Sequence, residues 1–396
     1  MKRILFLTFY FRPDLCAGSF RNSPLLDELS HQTKEKDIQI DVFTTVPNRY
    51  STFHQDFKRV ETFNNVRIER IQIPSHQSGM IDQALSFRTY FFKTLRKTKQ
   101  TNYDLVYGSS SRFFTSYLAY RIAKKNRCPL YIDVRDIFSE TLAGIADNFL
   151  LKNTLPPLLS MLERRVYSYA THINLISEGF RESFDGYPST TFSSFSHGVD
   201  PVFLRKQEHT DKPNAKGRKK ILYAGNVGEG QGLHKIIPKA AKMIEDTHEF
   251  EIIGDGGALE KLKKALKQEN VQNVKISKPV ERNKLVQKYY NANILFIHLN
   301  DYRIFKKVLP SKIFELAVIG KPILAGVDGY SESFLKENVE HSYIFTPCDP
   351  DDMVDKISEI VYQSHPVQDE RIKQFKNKFD RNHINKKMAE SISGIL

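Results

Sequence analysis

Short apolar segments with β-strand character alternate with helical segments along the whole chain, and this alternation restricts the fold more than any other feature. The predicted strands are residues 4–9, 40–44, 66–71, 105–107, 130–133 and 172–176, then 221–224, 250–253, 274–276, 294–298, 322–325 and 343–345. Between them, apolar side chains recur with helical spacing, for example in residues 23–33, 113–125, 157–170, 259–268 and 351–363. Such alternation predicts parallel sheets covered by helices, which is an α/β fold.

A polar tract divides the pattern into two halves. Residues 204–220 are mostly charged or polar and lack apolar periodicity, so we interpret them as a linker. The chain of 396 residues is also longer than one core ordinarily supports. We therefore predict two doubly wound, Rossmann-like domains, residues 1–203 and 221–370, that face one another across a ligand-binding cleft. Residues 371–396 are predicted to form a helix that packs back on the first domain.

Cysteine usage and hydropathy favour a cytoplasmic protein. The three cysteines, at positions 16, 128 and 348, are odd in number and widely spaced, which excludes a disulfide framework and a zinc-binding pattern. No apolar run approaches the roughly 20 residues of a membrane-spanning helix. The first apolar stretch is short and broken by Thr8 and Arg12, so it predicts a strand rather than a signal peptide.

The formal net charge of +13 indicates an anionic partner. A nucleotide, an anionic lipid surface and nucleic acid are the three candidates. The basic residues are spread along the chain, and no zinc-finger, basic-zipper or RNA-recognition pattern accompanies them. We therefore expect no nucleic-acid partner.

Two predicted strands of the second half run into glycine-rich loops. Residues 225–232 contain four glycines and precede a helix, so their amides can approach a diphosphate closely. The loop is neither a dinucleotide fingerprint nor a P-loop, and a flexible turn is the alternative. Residues 254–257 are nearly as consistent with a tight turn as with a ligand contact. The candidate ligand residues in the two loops are Gly225, Asn226, Gly228, Gln231, Gly254 and Asp255.

A third loop gathers positive charge at a predicted helix N-terminus. Pro310 suits the first helical turn, and the Ser311 hydroxyl can accept from the free N–H groups there. Glu315 lies one turn further on, where a carboxylate can accept both hydroxyls of a ribose. A diphosphate suits such a place, although a charge run alone is usually a solvated face. The cations are Arg303, Lys306, Lys307 and Lys312.

Two strand ends of the first half also carry candidate residues. Gly18 and Ser19 follow the first strand and are expected at the edge of the cleft. Asp133, Arg135 and Asp136 lie at the end of the strand predicted at 130–133. Two carboxylates that flank an arginine either orient sugar hydroxyls or form a buried ion pair, and the sequence leaves both interpretations open.

Together these segments resemble the retaining GT-B glycosyltransferases of family 4, and more narrowly a bacterial surface-polysaccharide group that includes N-acetylfucosamine transferases. The resemblance covers essentially the whole chain, and its specificity comes from the order and spacing of the motifs. The motifs are FYFRPDLCAGSFR (9–21), YIDVRDIFSETL (131–142), HGVD (197–200), YAGNVGEGQGL (223–233), IIGDG (252–256) and VLPSKIFELAVIGKPILAG (308–326).

The resemblance implies transfer of a sugar from a nucleoside diphosphate, usually UDP, with retention at the anomeric carbon. The 225–232 loop, Ser311 and Lys312 would hold the diphosphate, and Glu315 matches the family glutamate that binds ribose. Small family residues beside the diphosphate correspond to Gly18 and Ser19. The residues near the donor sugar and reaction centre, taken as catalytic, would be Asp133, Arg135 and Asp136.

The sequence departs from the family pattern in two places. The first glutamate of the E-x7-E motif would be residue 307, which is Lys307 here. The usual basic residues of the phosphate loop are replaced by Glu229 and Gln231. Our hypothesis is that Lys306, Lys307 or Lys312 supplies the missing charge.

We expect neither an obligatory metal nor a cofactor besides the donor substrate. No Asp-x-Asp pair ends a predicted strand, so backbone amides and lysines would stabilise the leaving group. The resemblance implies a front-face mechanism in which the leaving phosphate helps to deprotonate the acceptor.

Residues 80–100 combine aromatic and basic side chains on a predicted helix. Such a helix is typical of a membrane-surface element, and a core helix with a basic outer face is the alternative. With a membrane-surface helix, the acceptor would be a polyprenyl-diphosphate-linked saccharide at the inner leaflet, as in O-antigen or capsule synthesis. The protein would then be peripheral on the anionic cytoplasmic face of that membrane.

Two other functions fit the same architecture. One is a UDP-sugar 2-epimerase, which needs no acceptor. The other is a non-catalytic binder of nucleotide sugars, because Lys307 replaces a family glutamate.

Overall fold

The computed structural model describes residues 1–48, 56–74, 80–110, 113–145, 149–204, 217–360 and 370–396. The chain divides into two compact units. The first contains Met1–His197 together with Asn382–Leu396, and the second contains Gly198–Arg381.

The first unit is built on a sheet that has eight strands among the described residues, in the order β3-β4-β2-β1-β5-β6-β7-β8. All neighbouring strands are parallel except β3 and β4, which form an antiparallel pair. The strands are β1 (Lys2–Leu7), β2 (Ile38–Thr45), β3 (Val60–Phe63), β4 (Val66–Ile71), β5 (Leu105–Ser109), β6 (Leu130–Val134), β7 (His172–Leu175) and β8 (Thr191–Ser193). The helices that precede the second unit are α1 (Ala17–Thr33), α2 (Met80–Lys97), α3 (Phe113–Asn126), α4 (Phe138–Ile145) and α5 (Phe149–Tyr169).

The second unit contains a six-stranded, fully parallel sheet within the described residues, in the order β11-β10-β9-β12-β13-β14. Buried apolar clusters cover both faces of this sheet. The strands are β9 (Lys219–Asn226), β10 (His248–Asp255), β11 (Val274–Ser277), β12 (Ile294–His298), β13 (Ile323–Gly326) and β14 (Ser342–Phe345). The helices are α6 (Leu233–Met243), α7 (Leu259–Gln268), α8 (Arg282–Tyr290), α9 (Lys312–Leu316), α10 (Tyr330–Asn338), α11 (Pro350–Glu359) and α12 (Glu370–Lys378).

The chain reverses its direction of winding beside the first strand of each unit. In the second unit this point lies between β9 and β12, and in the first unit between β1 and β5. Loops that leave neighbouring strands in opposite directions open a crevice, which is where doubly wound sheets bind ligands. The α/β prediction is confirmed in both units.

The first boundary of the second unit differs from the prediction. Residues 198–204 join that unit, because Val199 and Phe203 are fully buried in its core. Most of the predicted linker 204–220 lies outside the described residues, and β9 already begins at Lys219. Local composition did not reveal this, because residues 198–204 are not apolar in a strand or helix pattern.

The predicted C-terminal helix is two helices that belong to different units. The last helix, α13 (Arg381–Ser393), packs on the first core through Met388, Ala389 and Ile392. Helix α12 instead buries Ile372 and Phe375 in the second core. Residues 371–381 therefore lie in the second unit, and the return to the first unit starts at Asn382.

None of the described helices is both long enough and apolar enough to cross a membrane.

Ile392→Ala should destabilise the protein, because Ile392 has no exposed surface in the core beneath β1. We expect a loss of about 2–5 kcal/mol in the free energy of unfolding, measured by circular dichroism in urea. Lys387→Ala is the control, because Lys387 is exposed on the same helix and its loss should change stability by less than about 0.5 kcal/mol. Equal stability of the two variants would contradict the packing of α13 on this core.

Candidate functional site

The loops after β9 and β12 are hydrogen-bonded to one another at the switch point of the second unit. The backbone N–H of Asn300 donates to the carbonyl of Gly230 at 2.9 Å. Its side-chain amide donates to the carbonyl of Glu229 at 2.8 Å. The conformation of the glycine-rich loop is therefore set by the loop that leads to α9.

His298, the last residue of β12, joins the glycine-rich loop to the loop after β14. Its Nδ1 lies 2.6 Å from the carbonyl oxygen of Gln231, and its Nε2 accepts from the backbone N–H of Cys348 at 3.0 Å. Because Nδ1 faces a carbonyl oxygen and Nε2 faces an N–H group, the neutral imidazole carries its proton on Nδ1. Burial lowers the pKa of His298 to about 4, which agrees with that assignment. The sequence prediction missed His298 and Asn300, although polar residues at the end of a buried strand were the available signal.

Two glycines allow the ends of β9 and β10 to approach other groups closely. A Cβ atom on Gly254 would overlap the carbonyl of Gly225, so Gly254 is required by strand packing. Gly225 has a φ of 148°, and a Cβ there would overlap the Nζ of Lys312. The Lys312 ammonium therefore lies directly against the backbone of the glycine-rich loop.

Lys312 is held at this place by an aromatic side chain. Its Nζ is 3.2 Å from the hydroxyl oxygen of Tyr223 and 4.5 Å from the centre of that ring. It forms no ion pair with any described residue. Burial lowers the pKa of Lys312 to about 8, against the opposing effect of Glu315. The charge at the switch point is therefore available to an anionic ligand at neutral pH.

Glu315 lies in a chain of alternating charges. Its Oε1 is 3.3 Å from Nη2 of Arg282, which is also 2.7 Å from Asp200. Asp200 in turn pairs with Arg381 at 2.6 Å. Among the described residues, only Oε1 of Glu315 accepts a hydrogen bond. The sequence could not reveal this arrangement, since Asp200 and Arg282 are remote from Glu315 along the chain.

The prediction that Ser311 caps α9 is wrong. Ser311 precedes the helix, but its side chain makes no capping hydrogen bond, because its backbone is already in the right-handed helical region. An N-cap residue that accepts from the next turn normally has an extended backbone. Ser311 remains next to Lys312, and its hydroxyl is not used to close the helix.

The other predicted cations differ in their surroundings. Lys306 pairs with Asp328 at 2.5 Å, which lowers the pKa of that carboxyl. Arg303 is exposed and Lys307 is half-buried, both in a short 3-10 helix, Arg303–Lys307. Lys306 is thus already neutralised, whereas Lys312 is not.

The remaining residues of the glycine-rich loops mainly support the loops themselves. The side-chain oxygen of Gln231 accepts from Asn226 at 2.8 Å and from the N–H of Gly228 at 3.2 Å. Glu229 pairs with Lys261 at 2.8 Å. The Asp255 carboxylate accepts from the next backbone N–H at 2.7 Å, which favours the tight-turn interpretation of residues 254–257.

In the first unit, Asp133 is a buried ion-pair residue. It has no exposed surface, and its two oxygens accept from Nε and Nη2 of Arg21 at 2.7 and 2.8 Å. Asn174 adds a third hydrogen bond at 2.8 Å. Burial alone would raise the pKa of Asp133, but Arg21, together with Arg135 and Asn174, holds it below its usual value. Of the two interpretations left open by the sequence, the structure favours the ion pair, and the partner is Arg21 rather than Arg135.

Arg135 and Asp136 follow Asp133 but have different surroundings. The backbone N–H of Arg135 donates to Ser110 at 2.8 Å, and its guanidinium lies beside Gly18. Asp136 accepts from Thr141 at 2.7 Å, and burial raises its pKa. Ser19, next to Gly18 in α1, is buried. Arg135 and Gly18 are thus brought together, whereas the Asp133 side chain has no exposed surface.

Among the described residues, no three His, Cys, Asp or Glu side chains lie close enough together to hold a metal ion.

Comparison with known proteins finds a family model that matches most of the second unit. Residues 205–379 match the family model described as Glycosyl transferases group 1. The putative colanic acid biosynthesis glycosyl transferase WcaI of Escherichia coli (strain K12) is 28% identical over 145 residues, which are 35% of this chain. The matched segment spans 33% of that relative's length.

Solved structures give the fold of the whole chain. Sucrose-phosphate synthase from Thermosynechococcus elongatus superposes with a TM-score of 0.76 at 12% identity, covering 100% of this chain and 99% of that one. WaaG, a glycosyltransferase involved in lipopolysaccharide biosynthesis, superposes with a TM-score of 0.65 at 13% identity, covering 99% of this chain and 100% of that one. HepE from Anabaena, solved in complex with UDP, superposes with a TM-score of 0.63 at 15% identity, covering 100% of both chains. The chain therefore has the GT-B fold, and residues 205–379 are similar to the group 1 glycosyl transferases.

Proposed function

We propose that this chain is a retaining glycosyltransferase that moves a sugar, of N-acetylated type, from a UDP-sugar to a saccharide acceptor. The observation that carries the proposal is the Lys312 ammonium, which lies against the Gly225 backbone at the switch point of the second unit and forms no ion pair within the described part of the chain. The group 1 glycosyl transferase match covers this site, and HepE, which has the same fold, was solved with UDP.

The donor diphosphate binds where Lys312 meets the glycine-rich loop. A phosphate placed there receives the lysine charge and hydrogen bonds from loop amides, and the Ser311 hydroxyl lies next to Lys312. Glu315 accepts ribose hydroxyls through Oε2, while Arg282 fixes the other oxygen. In this scheme Lys312 replaces the basic residues that the family carries in the loop, and Lys306 does not contribute because Asp328 neutralises it.

The same groups assist departure of the nucleotide. Negative charge develops on the diphosphate as the glycosidic bond breaks, and a preorganised ammonium with loop amides stabilises that charge without a metal. The leaving phosphate then accepts the acceptor's proton on the face where the new bond forms, which gives retention. Of the three first-unit residues that the family resemblance gives as catalytic, Asp133 is fully buried and paired with Arg21, whereas Arg135 and Asp136 are only partly buried.

Helix α2 supports a membrane-associated acceptor. It buries Phe87 and Tyr90 in the first unit, which accounts for the core-helix interpretation. Its outer face still exposes Leu85 by 48% and Phe92 by 60%, among exposed basic residues. Apolar groups within a basic face bind anionic bilayers at their surface. This surface is the support for our proposal that the acceptor is a polyprenyl-diphosphate-linked saccharide at the inner leaflet, in O-antigen or capsule synthesis.

A screen of UDP-, GDP- and dTDP-sugars by thermal shift tests donor choice, because a ligand well above its Kd raises the melting temperature. We expect stabilisation by UDP-sugars. Product analysis with a lipid-linked acceptor then distinguishes sugar transfer from the two alternative functions. Epimerised or hydrolysed donor without acceptor would indicate a UDP-sugar 2-epimerase, and binding without turnover would indicate a non-catalytic binder.

Lys312→Met should weaken UDP binding at least about tenfold at pH 7, since a charge-assisted contact is lost. Because the pKa of Lys312 is about 8, its charge is present below pH 8 and lost above it. The affinity of the unmodified protein should therefore fall between pH 7.5 and 9 in calorimetric titrations, by up to about tenfold per pH unit, whereas that of Lys312→Met should stay flat. Lys306→Met is the control and should bind UDP normally. Identical pH profiles for the Lys312 variant and the unmodified protein would refute the assignment.

Charge reversal on α2 tests membrane binding. Arg88, Lys93 and Arg96 are exposed on its outer face, whereas Lys97 pairs with Glu69. Changing the first three to Glu should abolish sedimentation with phosphatidylglycerol liposomes, because each basic residue contributes about 1 kcal/mol near such a surface.

The matched control carries the same charge change in the second unit, at Lys264, Lys267 and Lys275, which are all exposed. It should bind liposomes almost as well as the unmodified protein. Equal loss of binding in both triple variants would mean that net charge, and not α2, drives the association.

A further inference from the structure

The last residue of the HGVD segment, Asp200, is held in place by three donors of the second unit. Its Oδ1 accepts from the backbone N–H of Val202 at 3.0 Å. Its Oδ2 lies 2.6 Å from Nη1 of Arg381 and 2.7 Å from Nη2 of Arg282. Both carboxylate oxygens of Asp200 are therefore engaged, and its side chain has a defined position.

The backbone next to Asp200 is fixed as well. The N–H of Val199 donates to the carbonyl of Phe379 at 2.7 Å, and Val199 has no exposed surface. The second terminal nitrogen of Arg381, Nη2, donates to the carbonyl of Gly198 at 3.1 Å. A side chain positions its neighbours precisely when its own conformation is locked by packing and hydrogen bonds. Asp200 meets that condition.

Arg282 is shared between two carboxylates. Its Nη2 lies 2.7 Å from Asp200 but 3.3 Å from Oε1 of Glu315. The guanidinium also lies over the buried ring of Phe203, with Cζ 4.9 Å from the ring centre. Asp200 and Phe203 therefore hold the guanidinium, and its contact with Glu315 is the longer of the two.

A single contact is not the usual arrangement of an arginine and a carboxylate. The guanidinium commonly forms two parallel hydrogen bonds, one to each carboxylate oxygen. Such a pair would occupy Oε2 of Glu315, the oxygen that the proposed function assigns to the ribose hydroxyls. Within the described part of the chain, Arg282 donates to Oε1 alone. The closer contact with Asp200 accounts for this, because it draws the guanidinium away from Glu315.

We infer that Asp200, anchored by Arg381, is a positioning residue for the donor ribose. It restricts Arg282 to one oxygen of Glu315 and so keeps the other oxygen open to the ribose hydroxyls. The inference rests on the proposed function, in which Glu315 binds the ribose. Asp200 acts through Arg282 and needs no contact with the nucleotide. Its effect is therefore confined to ligands that carry ribose hydroxyls.

Calorimetric titration with UDP and with its 2′,3′-dideoxy analogue tests the inference, because the two ligands differ only in the ribose hydroxyls. The unmodified protein should bind UDP more tightly than the analogue. Asp200→Asn should weaken UDP binding at least about fivefold, since Arg282 then pairs with both oxygens of Glu315, and should change the affinity for the analogue less than about twofold. Glu340→Gln is the control and should leave both affinities unchanged, because it removes an exposed carboxylate that pairs with Arg371 in the same unit.

The two ligands separate failure of the inference from failure of the proposed function. Equal weakening of both ligands by Asp200→Asn would show that Asp200 only supports the fold, and unchanged UDP binding would show that it has no role. Either result would overturn the inference alone. Absence of UDP binding by the unmodified protein would refute the proposed function, and equal affinity for UDP and the analogue would refute the ribose contact of Glu315. The inference would fail with either of these.

Two further variants test the route through Arg282. In an Arg282→Gln background, Asp200→Asn should cause no further loss of UDP affinity, because the residue through which Asp200 acts is absent. Additive losses would overturn the inference. Arg381→Gln removes an anchor of Asp200 but keeps its charge, and it provides the test if Asp200→Asn does not fold. It should reduce the preference for UDP over the analogue at least about twofold, and an unchanged preference would contradict the inference.

Discussion

The hydrogen bonds between the loops after β9 and β12 are the constraint on which the candidate donor site depends. Asn300 and His298 bind three successive carbonyls of the glycine-rich loop, at Glu229, Gly230 and Gln231. A glycine-rich loop loses a large conformational entropy when it is ordered, and glycines restrict the backbone little. These hydrogen bonds therefore fix the backbone conformation of the loop. The amides near Gly225 and the Lys312 ammonium therefore occupy defined positions before a ligand binds, which is the condition for electrostatic stabilisation of a leaving group.

Some features of the site could be predicted from the sequence because they depend on interactions between residues that are close together in the chain. Strand–helix alternation, the glycines after β9 and the start of a helix near Lys312 depend on neighbours within a few residues. The structure places Gly225 and Lys312 in contact, in agreement with their positions at the end of β9 and beyond the end of the adjacent strand β12. Even here, the capping role of Ser311 was wrong, since backbone conformation decided it.

Long-range partners account for what the sequence could not show. Arg21 and Asp133 are 112 positions apart, so the sequence could not show that Asp133 is held in a buried ion pair with this arginine. The same pairing left Arg135 without a carboxylate. Likewise, the sequence predicted a single C-terminal helix that packs on the first domain. The structure has two helices, and the sequence alone does not show that Phe375 enters the second core and Ile392 the first.

The central claim is that a nucleotide diphosphate binds at the β9–β12 switch point of the second unit. Hydrogen–deuterium exchange with and without saturating UDP tests it most directly, because it locates the amides that the ligand protects. The account predicts slower exchange in residues 225–232 and 311–316. If UDP binds but slows amide exchange only in other segments, and in neither of these two, the account is contradicted.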